Sequence, residues 1–510
     1  MEARPRTPYL RFTPSYRWEN KHRNVHAVVE RLYDVWNLWA DAIDRPEDGF
    51  QPGLRALEAI VREAEGLGKR VRPLGGAWSL SDAARTTEFM LNTKPLNALV
   101  IGFSSRLCDP SCREPPERLV FAQCGASVSE LNDYLERANL ALPTSGASDG
   151  QTICGAIATG THGSAHGVGS MQDFILCLHI VAEGGKGFWI ERASRPVASR
   201  ALYEQVGAEL VRDDQLFDAA IVSFGSFGIV HAVVFAAEPL YWLERDILRR
   251  DFDDVKHAMG TLDVASLGLR TEALPFHFEI ILNPYATGRG QGGAWIRAIY
   301  KRPPPEAGFR PIVTEPGDDL LGMLGAVGDV VPDALPGVVG TLLEREMPSG
   351  SGGVGAPGQI FGPTTIRGPV RSTEIGVALA DVPAAVDAIV EVARTTRFGG
   401  VIALRYVKPS PALLAFTRFA PMSCAIELPS AGTEQTRKAF EEIWSALDHR
   451  GIRYALHWGQ CLWEDLNRSR IHACYGDRFD AWVAARRRFL TPNGRRMFAS
   501  PFVERCGLAA

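Results

Sequence analysis

The sequence lacks the features that mark secreted, membrane-spanning and nucleic-acid-binding proteins. Its first 20 residues contain no apolar core region and are not typical of a signal peptide. No apolar run approaches the roughly 20 residues that a helix needs to span a bilayer. Basic and acidic residues nearly balance, at 55 and 59, so the overall charge does not favour nucleic acid. These absences predict a cytoplasmic protein with no transmembrane segment and no nucleic-acid partner.

Cysteine is scarce and scattered, with nine residues in a chain of 510. Such a distribution does not form a disulfide framework and fits a reducing compartment. Cys108 and Cys112 are spaced one residue wider than the commonest metal-binding pair and have no second pair to complete a site. We therefore predict no bound metal. The length exceeds what one hydrophobic core usually serves, so we expect two domains.

Glycine, by contrast, is concentrated in one stretch, residues 142–169, with the sequence LPTSGASDGQTICGAIATGTHGSAHGVG. Glycine lets the backbone pass close to a ligand and adopt turns that a Cβ would forbid. The free N–H groups of such a run suit a phosphate or a flat polar ring. A flexible linker is the alternative, but linkers rarely carry Ile153, Ile157 and His162 at regular intervals. We therefore predict that a ligand lies against this stretch.

A second small-residue segment precedes it, in the sequence KRVRPLGGAWSLS at residues 69–81. Residues 69–74 are typical of a short strand, and Gly75, Gly76 and Ala77 follow as a tight turn. A strand that leads into such a turn can present consecutive amides to an anion. On its own this signal is weak, because many glycine turns bind no ligand.

Hydrophobic spacing predicts the main secondary-structure elements. Apolar residues at helical intervals predict a helix over residues 25–42. Residues 127–138 show a second amphipathic pattern, with Ser127 as the cap and Glu130 at the capping-box position. Residues 349–362 are rich in glycine and predict a loop.

Several motifs, in a fixed order, resemble one protein family. They are VRPLGGAWS, QTICGAIATGTHGS and FGSFGIVHAV in the N-terminal half, followed by VIALRYVKPS, SCAIELP and YALHWGQ near the C-terminus. In this order they resemble the vanillyl-alcohol oxidase / p-cresol methylhydroxylase type of FAD flavoproteins, and within it they are most similar to the aldonolactone and alditol oxidase branch. Motifs in order are far more specific than any one motif.

The resemblance implies an α+β protein with a two-domain FAD-binding fold. Residues 1–241 would form the FAD-binding domain. Residues 242–465 would form a cap domain for the substrate, built from an antiparallel sheet plus helices. Residues 466–510 would form a C-terminal segment that packs back on the FAD domain.

The resemblance also implies which residues lie near the cofactor. They are Gly75, Gly76, Ala77, Trp78, Ser79, Gly155, Ala156, Gly160, Thr161, Gly163, Ser164, His166, Gly167, Gly228, Ile229 and Val230. The first group and the residues around Thr161 would wrap the pyrophosphate and the ribityl chain. Gly155 and Ala156 would lie near the flavin ring, and Gly228, Ile229 and Val230 near the adenine. Plain core packing is the alternative for Ile229 and Val230.

The expected active site departs from the branch pattern in two places. The branch typically carries a glutamate two residues before a cap-strand arginine, but this chain has Ala403 before Arg405. The His-Trp-Gly motif that begins at His457 is kept, yet Gln460 stands where the branch has lysine. We expect His457, Arg405 and Gln460 to be the catalytic residues, with His457 in proton transfer and Arg405 stabilising negative charge. A histidine satisfied in a sheet core and a cap-strand salt bridge are the alternatives for the first two.

The resemblance implies an FAD-dependent oxidoreductase that transfers a hydride from a small-molecule alcohol, or a similar C–H donor, to non-covalently bound FAD. Molecular oxygen is the expected electron acceptor. The missing acid and base favour an apolar or aromatic substrate. Two alternatives remain open: a dehydrogenase of the same fold with another acceptor, and a non-redox cyclase, isomerase or binding protein.

Trp78 predicts that the FAD can be separated from the protein. Many relatives carry a histidine at this place that bonds covalently to the ring methyl of the flavin, and an indole has no imidazole nitrogen to form that bond. We expect acid precipitation of the purified protein to leave the yellow colour in the supernatant, as measured by flavin absorbance. A yellow pellet would contradict this prediction.

Overall fold

The computed structural model describes residues 9–37, 46–146, 148–270, 274–305, 311, 334–361, 369–460 and 466–510. Its strands form sheets of four, six, two and eight strands. No helix in these ranges is long and apolar enough to cross a membrane.

The four-stranded sheet begins the chain. Its strands are β1 (Leu10–Glu19), β2 (His26–Val35), β3 (Val71–Leu74) and β4 (Phe89–Asn92). They lie in the order β1-β2-β4-β3, and β3 is parallel to β4. Helix α1 (Pro46–Gly66) buries Leu57, Ile60 and Val61 in the core beside this sheet. The strand predicted before Gly75 is therefore present as β3.

The predicted helix over residues 25–42 is wrong. Residues 26–35 form β2, which pairs antiparallel with β1, and residues 38–42 lie outside the described residues. Ala27 and Val29 are buried while Val28 between them is 56% exposed. This alternation has the period of two that a half-buried strand requires. Pairing with β1 and the β-branched valines outweighed the apolar spacing that suggested a helix.

The six-stranded sheet forms the centre of the first half of the chain. Its strands, with the short pair β7 and β12 beside it, are β5 (Leu99–Ile101), β6 (Leu119–Gln123), β7 (Leu140–Ala141), β8 (Ile175–Val181), β9 (Gly187–Glu191), β10 (Ala208–Arg212), β11 (Ile229–Ala236) and β12 (Glu238–Pro239). The order is β10-β9-β8-β11-β6-β5. The helices of this part are α2 (Val128–Arg137), α3 (Ile153–Thr159), α4 (Arg200–Gln205) and α5 (Asp214–Ala220). All seven residues of β8 are buried, as expected for a strand covered on both faces.

The eight-stranded sheet follows, and each neighbouring pair in it is antiparallel. Its strands are β13 (Trp242–Arg250), β14 (His277–Leu282), β15 (Ala294–Arg302), β16 (Gly350–Gly355), β17 (Val370–Ala378), β18 (Ile402–Val407), β19 (Ser423–Ala431) and β20 (Tyr454–Leu456). They lie in the order β16-β13-β15-β14-β18-β19-β17-β20. The accompanying helices are α6 (Phe252–Thr261), α7 (Leu335–Glu346), α8 (Pro357–Ile360), α9 (Val382–Thr395) and α10 (Glu434–His449). The predicted α+β fold with an antiparallel sheet plus helices is confirmed.

The predicted loop over residues 349–362 is also wrong for most of its length. Strand β16 pairs with β13 at the edge of the eight-stranded sheet, and α8 follows it. Backbone hydrogen bonds hold a strand whatever its side chains are, so a glycine-rich edge strand leaves little hydrophobic signal in the sequence.

The last helices return to the first half of the chain. They are α11 (Arg468–Tyr475), α12 (Asp477–Phe489), α13 (Pro492–Met497) and α14 (Pro501–Arg505). Helix α12 packs against α5, and the indole N–H of Trp482 donates to the carbonyl of Val222 at 3.3 Å. The C-terminal residues therefore lie against the six-stranded sheet and its helices, not against the eight-stranded sheet alone.

The predicted capping box of α2 is present and gives a stability test. The N–H of Glu130 donates to Oγ of Ser127 at 3.1 Å, and the N–H of Ser127 donates to the Glu130 carboxylate at 2.8 Å. We expect Ser127→Ala to lower the free energy of unfolding by about 1 kcal/mol, because the backbone N–H of Glu130 loses the hydroxyl that accepts its hydrogen bond. Urea unfolding measures it, with Ser129→Ala in the same helix as the control. Equal losses in the two variants would show that the cap contributes nothing.

Candidate cofactor cavity and active site

An open cavity lies where the glycine-rich loops face the eight-stranded sheet. The space between its walls, together with the solvent at its mouth, is about 1880 Å³. One wall comes from the loop after β3, the segment around α3 and residues 220–225. The opposite wall includes Glu374, Arg405 and Glu427 on strands of the eight-stranded sheet. The predicted cofactor loops and the predicted catalytic residues therefore face the same space.

The residues predicted near the cofactor fall into two groups. Those that line the cavity are Gly75, Gly76, Ala77, Trp78, Ser79, Gly155, Thr161 and Val230. Those outside its lining are Ala156, Gly160, Gly163, Ser164, His166, Gly167, Gly228 and Ile229. Ala156 and Ile229 are buried in the core, so core packing accounts for them. Ser164 serves the protein itself, since its N–H donates to His277 and its hydroxyl accepts the N–H of Tyr406.

The loop at residues 75–79 presents consecutive unpaired amides. Within the described residues, none of its five backbone N–H groups donates a hydrogen bond to another protein group. A Cβ on Gly76 would lie 2.9 Å from the carbonyl oxygen of Gly150, and Ala77 has φ +57°. A run of unpaired backbone amides at a concave surface suits an anion. The loop therefore fits the diphosphate of a dinucleotide such as FAD.

Trp78 contributes an apolar wall beside this loop. Its indole N–H donates to the carbonyl of Gly150, which belongs to the glycine-rich stretch at residues 142–169. Its own carbonyl lies 3.1 Å from Nε2 of His22, a buried cavity residue that the sequence analysis did not select. Burial lowers the pKa of His22 to about 4, so this imidazole is neutral near pH 7.

Arg405 is the centre of a buried ion-pair network on the opposite wall. Its Nε donates to Glu279 at 2.9 Å and its Nη1 donates to Glu427 at 2.6 Å. A third carboxylate, that of Glu374, lies 3.8 Å from Nη1. Arg297 donates to the far oxygen of Glu279 at 2.9 Å and extends the network by one strand. The salt-bridge alternative for Arg405 is thus present, and the same side chain also lines the cavity.

The acid that the sequence analysis judged missing is supplied by another strand. Ala403 on β18 is the direct partner of Glu427 on β19, and Glu427 is the partner of Glu374 on β17. Both glutamates line the cavity. A carboxylate therefore faces the cavity beside position 403, although position 403 itself carries none. The available signal was a single glutamate inside each of the apolar segments RSTEIGVALA and SCAIELPSA.

The three carboxylates differ in how easily they take up a proton. Burial disfavours the charge on Glu279, but Arg297 and Arg405 hold its pKa well below the ordinary value. Burial acts likewise on Glu374, yet His162, His457 and Arg405 lower its pKa to about 2. For Glu427 burial prevails, and its pKa is raised despite Arg405. Of the three carboxylates, Glu427 is therefore the one that most readily accepts a proton.

His162 connects the glycine-rich stretch to the eight-stranded sheet. Its Nδ1 lies 2.8 Å from the carbonyl oxygen of Gly163, and its Nε2 lies 2.9 Å from the Glu374 carboxylate. Both nitrogens face oxygen acceptors, so a proton must lie between Nε2 and Glu374. The sequence places His162 in the glycine-rich stretch, but it does not indicate that Glu374 is the partner.

The tautomer of His457 is fixed by its own turn. The backbone N–H of Gly459 donates to Nδ1 of His457 at 3.0 Å, so the ring proton is on Nε2. The Nε2 atom of His457 lies 3.9 Å from a carboxylate oxygen of Glu374. Burial lowers the pKa of His457 to about 4, which keeps the ring neutral near pH 7. His457 is therefore arranged to donate a hydrogen bond into the cavity.

The potential ligand atoms of His162, Glu374 and His457 lie within 4.8 Å of one another, a spacing that could hold a metal ion. The Nδ1 of His457 already accepts the N–H of Gly459, and the proton on Nε2 blocks the nitrogen that faces the other two residues. The arrangement thus favours hydrogen bonding over metal ligation, and the absence of a metal stays a prediction.

Gln460, the third residue predicted to be catalytic, lines the cavity and donates to the Glu427 carboxylate at 3.0 Å. Ser372 donates to the same oxygen at 3.0 Å. Two neutral donors and one arginine thus hold Glu427 in place.

Residues 54–191 match a protein family described as FAD binding domain. A D-arabinono-1,4-lactone oxidase of Yarrowia lipolytica is 28% identical over 264 residues, which cover 50% of this chain and 44% of the relative. An L-gulono-1,4-lactone dehydrogenase of Mycobacterium tuberculosis is 27% identical over 286 residues, covering 55% of this chain and 56% of the relative. The chain spans about half the length of the curated relatives it matches.

Solved structures share the fold over nearly the whole chain. A cholesterol oxidase from B. sterolicum matches with a TM-score of 0.69 at 14% identity, over 98% of this chain and 97% of the other. A chitooligosaccharide oxidase matches with a TM-score of 0.55 at 12% identity, over 94% and 92%. At these identities the likeness concerns the fold. The resemblance inferred from the motifs is confirmed, since residues 54–191 match the FAD binding domain family and the similar proteins include lactone oxidases and a lactone dehydrogenase.

Proposed function

We propose that this protein is an FAD-dependent oxidoreductase that oxidises a hydroxyl-bearing carbon of a small polar molecule and passes the electrons to oxygen. The observation that carries the proposal is the shared cavity, in which a loop of unpaired amides faces a wall of ionised side chains. FAD supplies the hydride acceptor of such a reaction when it is bound. The relatives named for oxidation of 1,4-lactones support the same class of chemistry.

The residues at 75–79 would hold the diphosphate of the cofactor through their backbone N–H groups. Trp78 lines this part of the cavity, and its indole cannot form the histidine–flavin bond of covalent relatives. We therefore propose that the cofactor binds non-covalently.

The wall opposite the cradle favours a hydroxylated substrate over an apolar or aromatic one. The expectation of an apolar substrate rested on the loss of a carboxylate at position 403, and Glu427 restores that charge from the neighbouring strand. Charged and hydrogen-bonding side chains face the cavity here: Glu374, Arg405, Glu427, His457 and Gln460. Such groups need polar partners when a ligand displaces water, and hydroxyl groups supply them.

Within this wall we assign two roles at the substrate hydroxyl. Glu427 accepts the hydroxyl proton as the carbon loses its hydride, since it is the carboxylate whose pKa is raised. His457 donates its Nε2–H to the substrate oxygen, because its other nitrogen is held by Gly459. Arg405 keeps Glu427 oriented, and its positive charge offsets the negative charge that remains in the active site.

The proposal predicts which compounds bleach the flavin. We expect polyhydroxylated lactones and alditols to bleach the yellow colour in the absence of air, and phenols and aromatic alcohols to leave it. Glu427→Gln should lower the bleaching rate on the order of 100-fold, because the proton acceptor is lost. Glu434→Gln, at an exposed carboxylate on α10, serves as the control. Bleaching by aromatic alcohols alone would overturn the assigned substrate class, and bleaching by no compound would favour a non-redox protein.

The acceptor is tested on the same reduced protein. Return of the colour in air with release of peroxide supports oxygen. Return only with a quinone or a dye would support the dehydrogenase alternative, which the name of the Mycobacterium tuberculosis relative favours.

The neutral state of His457 predicts a pH dependence of stability. The folded imidazole takes up a proton only near pH 4, whereas the unfolded one does so near pH 6.5. Its contribution to stability is therefore complete above pH 6.5 and is lost as the pH falls toward 4. Between pH 7 and pH 5 we expect the unfolding free energy of the native chain to fall by about 2 kcal/mol more than that of His457→Gln. Urea unfolding at the two pH values, with the exposed His449→Gln as control, measures the difference. A parallel fall in native chain and variant would show that folding does not lower the pKa of His457.

A further inference from the structure

An arginine with no acidic partner among the described residues lies at the cofactor side of the cavity. Arg72 on β3 is 1% exposed and belongs to the cavity lining. Its guanidinium donates to the carbonyl oxygens of Phe498 at 2.8 Å and Ala83 at 3.0 Å, and also to that of Phe224. All the hydrogen bonds described for this side chain go to backbone carbonyls, so its charge is solvated by dipoles and not neutralised.

A second arginine repeats this arrangement behind the first. Arg486 on α12 is fully buried and donates to the carbonyls of Ser226 at 2.8 Å and Ala509 at 3.0 Å. Burial lowers the pKa of Arg486 to about 9, and the positive charge of Arg72 adds to the effect. Burial alone lowers the pKa of Arg72 to about 10. Both groups remain charged near pH 7, so two positive charges are buried together.

Burying a charge is costly unless an opposite charge or a set of hydrogen bonds offsets it. Carbonyl dipoles meet part of this cost, but they leave the net charge in place. An anion with two negative charges in the adjacent cavity would neutralise the pair. The diphosphate of a dinucleotide is such an anion.

Arg72 also positions an amide toward the cavity. It binds the carbonyl of Phe224, and the N–H of the same peptide belongs to Gly225. Because the C=O and N–H of a trans peptide point in opposite directions, the Gly225 N–H points away from the guanidinium. That N–H has no partner among the described residues, and Gly225 lines the cavity. Phe224 has φ +55°, an uncommon conformation for a bulky residue, and it fits a loop held in place by Arg72.

We propose that Arg72, supported by Arg486, is the built-in counter-charge for the diphosphate and gives the site its preference for ligands with two phosphate groups. This inference rests on the proposed FAD site and deepens it. Arg72 acts as a positioning residue, through its charge and through the Gly225 amide. It selects ligands that carry a diphosphate on adenosine, such as ADP or the ADP half of FAD.

The test uses the full chain made in a flavin-free cell-free system and titrated by calorimetry with adenosine, AMP and ADP. In the native chain we expect the affinity to rise with each phosphate. In Arg72→Gln, which keeps hydrogen-bond donors but removes the charge, ADP should bind on the order of 10- to 100-fold more weakly while adenosine is unchanged. The salt dependence of ADP binding should weaken in parallel. Arg72→Lys should regain part of the preference for ADP. Arg488→Met, which removes an exposed arginine paired with Asp213, is the control and should leave all three affinities unchanged.

The outcomes separate the two proposals. If Arg72→Gln and Arg72→Lys weaken adenosine and ADP equally, Arg72 serves only the fold and the inference is overturned. The same holds if ADP binds the variants as it binds the native chain. A native chain that binds neither FAD nor ADP would overturn the cofactor site itself, before any substitution is made. Should Arg72→Gln fail to fold, Arg72→Lys and Arg486→Met test the proposal in its place. The proposal requires each of them to lower the ratio of ADP affinity to adenosine affinity.

Discussion

The balance of charge around Arg405 is the constraint on which the active-site wall depends. Three buried carboxylates, Glu279, Glu374 and Glu427, face the guanidinium groups of Arg405 and Arg297. The imidazole of His162 adds a further polar contact, with Nε2 2.9 Å from the Glu374 carboxylate. Removing one member of such a network leaves another charged group buried without compensation, which commonly costs several kcal/mol. The network therefore holds strands β14, β17, β18 and β19 in register while it shapes the cavity.

The same network is tied to the cofactor loops at several points. The hydroxyl of Ser81 donates to the carbonyl of Trp458 at 2.6 Å, and the N–H of Leu80 donates to that of Gly459 at 2.8 Å. His162 adds a third connection through Glu374. These bonds join the loop that follows the amide cradle to the turn that fixes His457. The position of the proposed cofactor and the tautomer of His457 thus depend on the same group of contacts.

The sequence indicated which loop faces the cavity but not how the opposite wall is built. A phosphate cradle is made by contiguous backbone, so the order of glycine-rich motifs indicated its place, and residues 75–79 line the cavity as expected. The wall is made by side chains that meet across strands, and that meeting depends on register. Ala403 is adjacent to Glu427 only because β18 and β19 pair as they do, and one sequence carries no record of that pairing. For the same reason the spacing of apolar residues suggested a helix over residues 25–42, whereas residues 26–35 form a strand that pairs with β1.

The spread of the charged network along the chain has a consequence for protein engineering. Its members stand at positions 279, 297, 374, 405 and 427, on strands separated by long connections. A chimera whose crossover point falls between any two of these positions would join an arginine from one parent to carboxylates from another. Recombination libraries should therefore exchange residues 277–460 as one block, and diversify the substrate wall by point substitution within it.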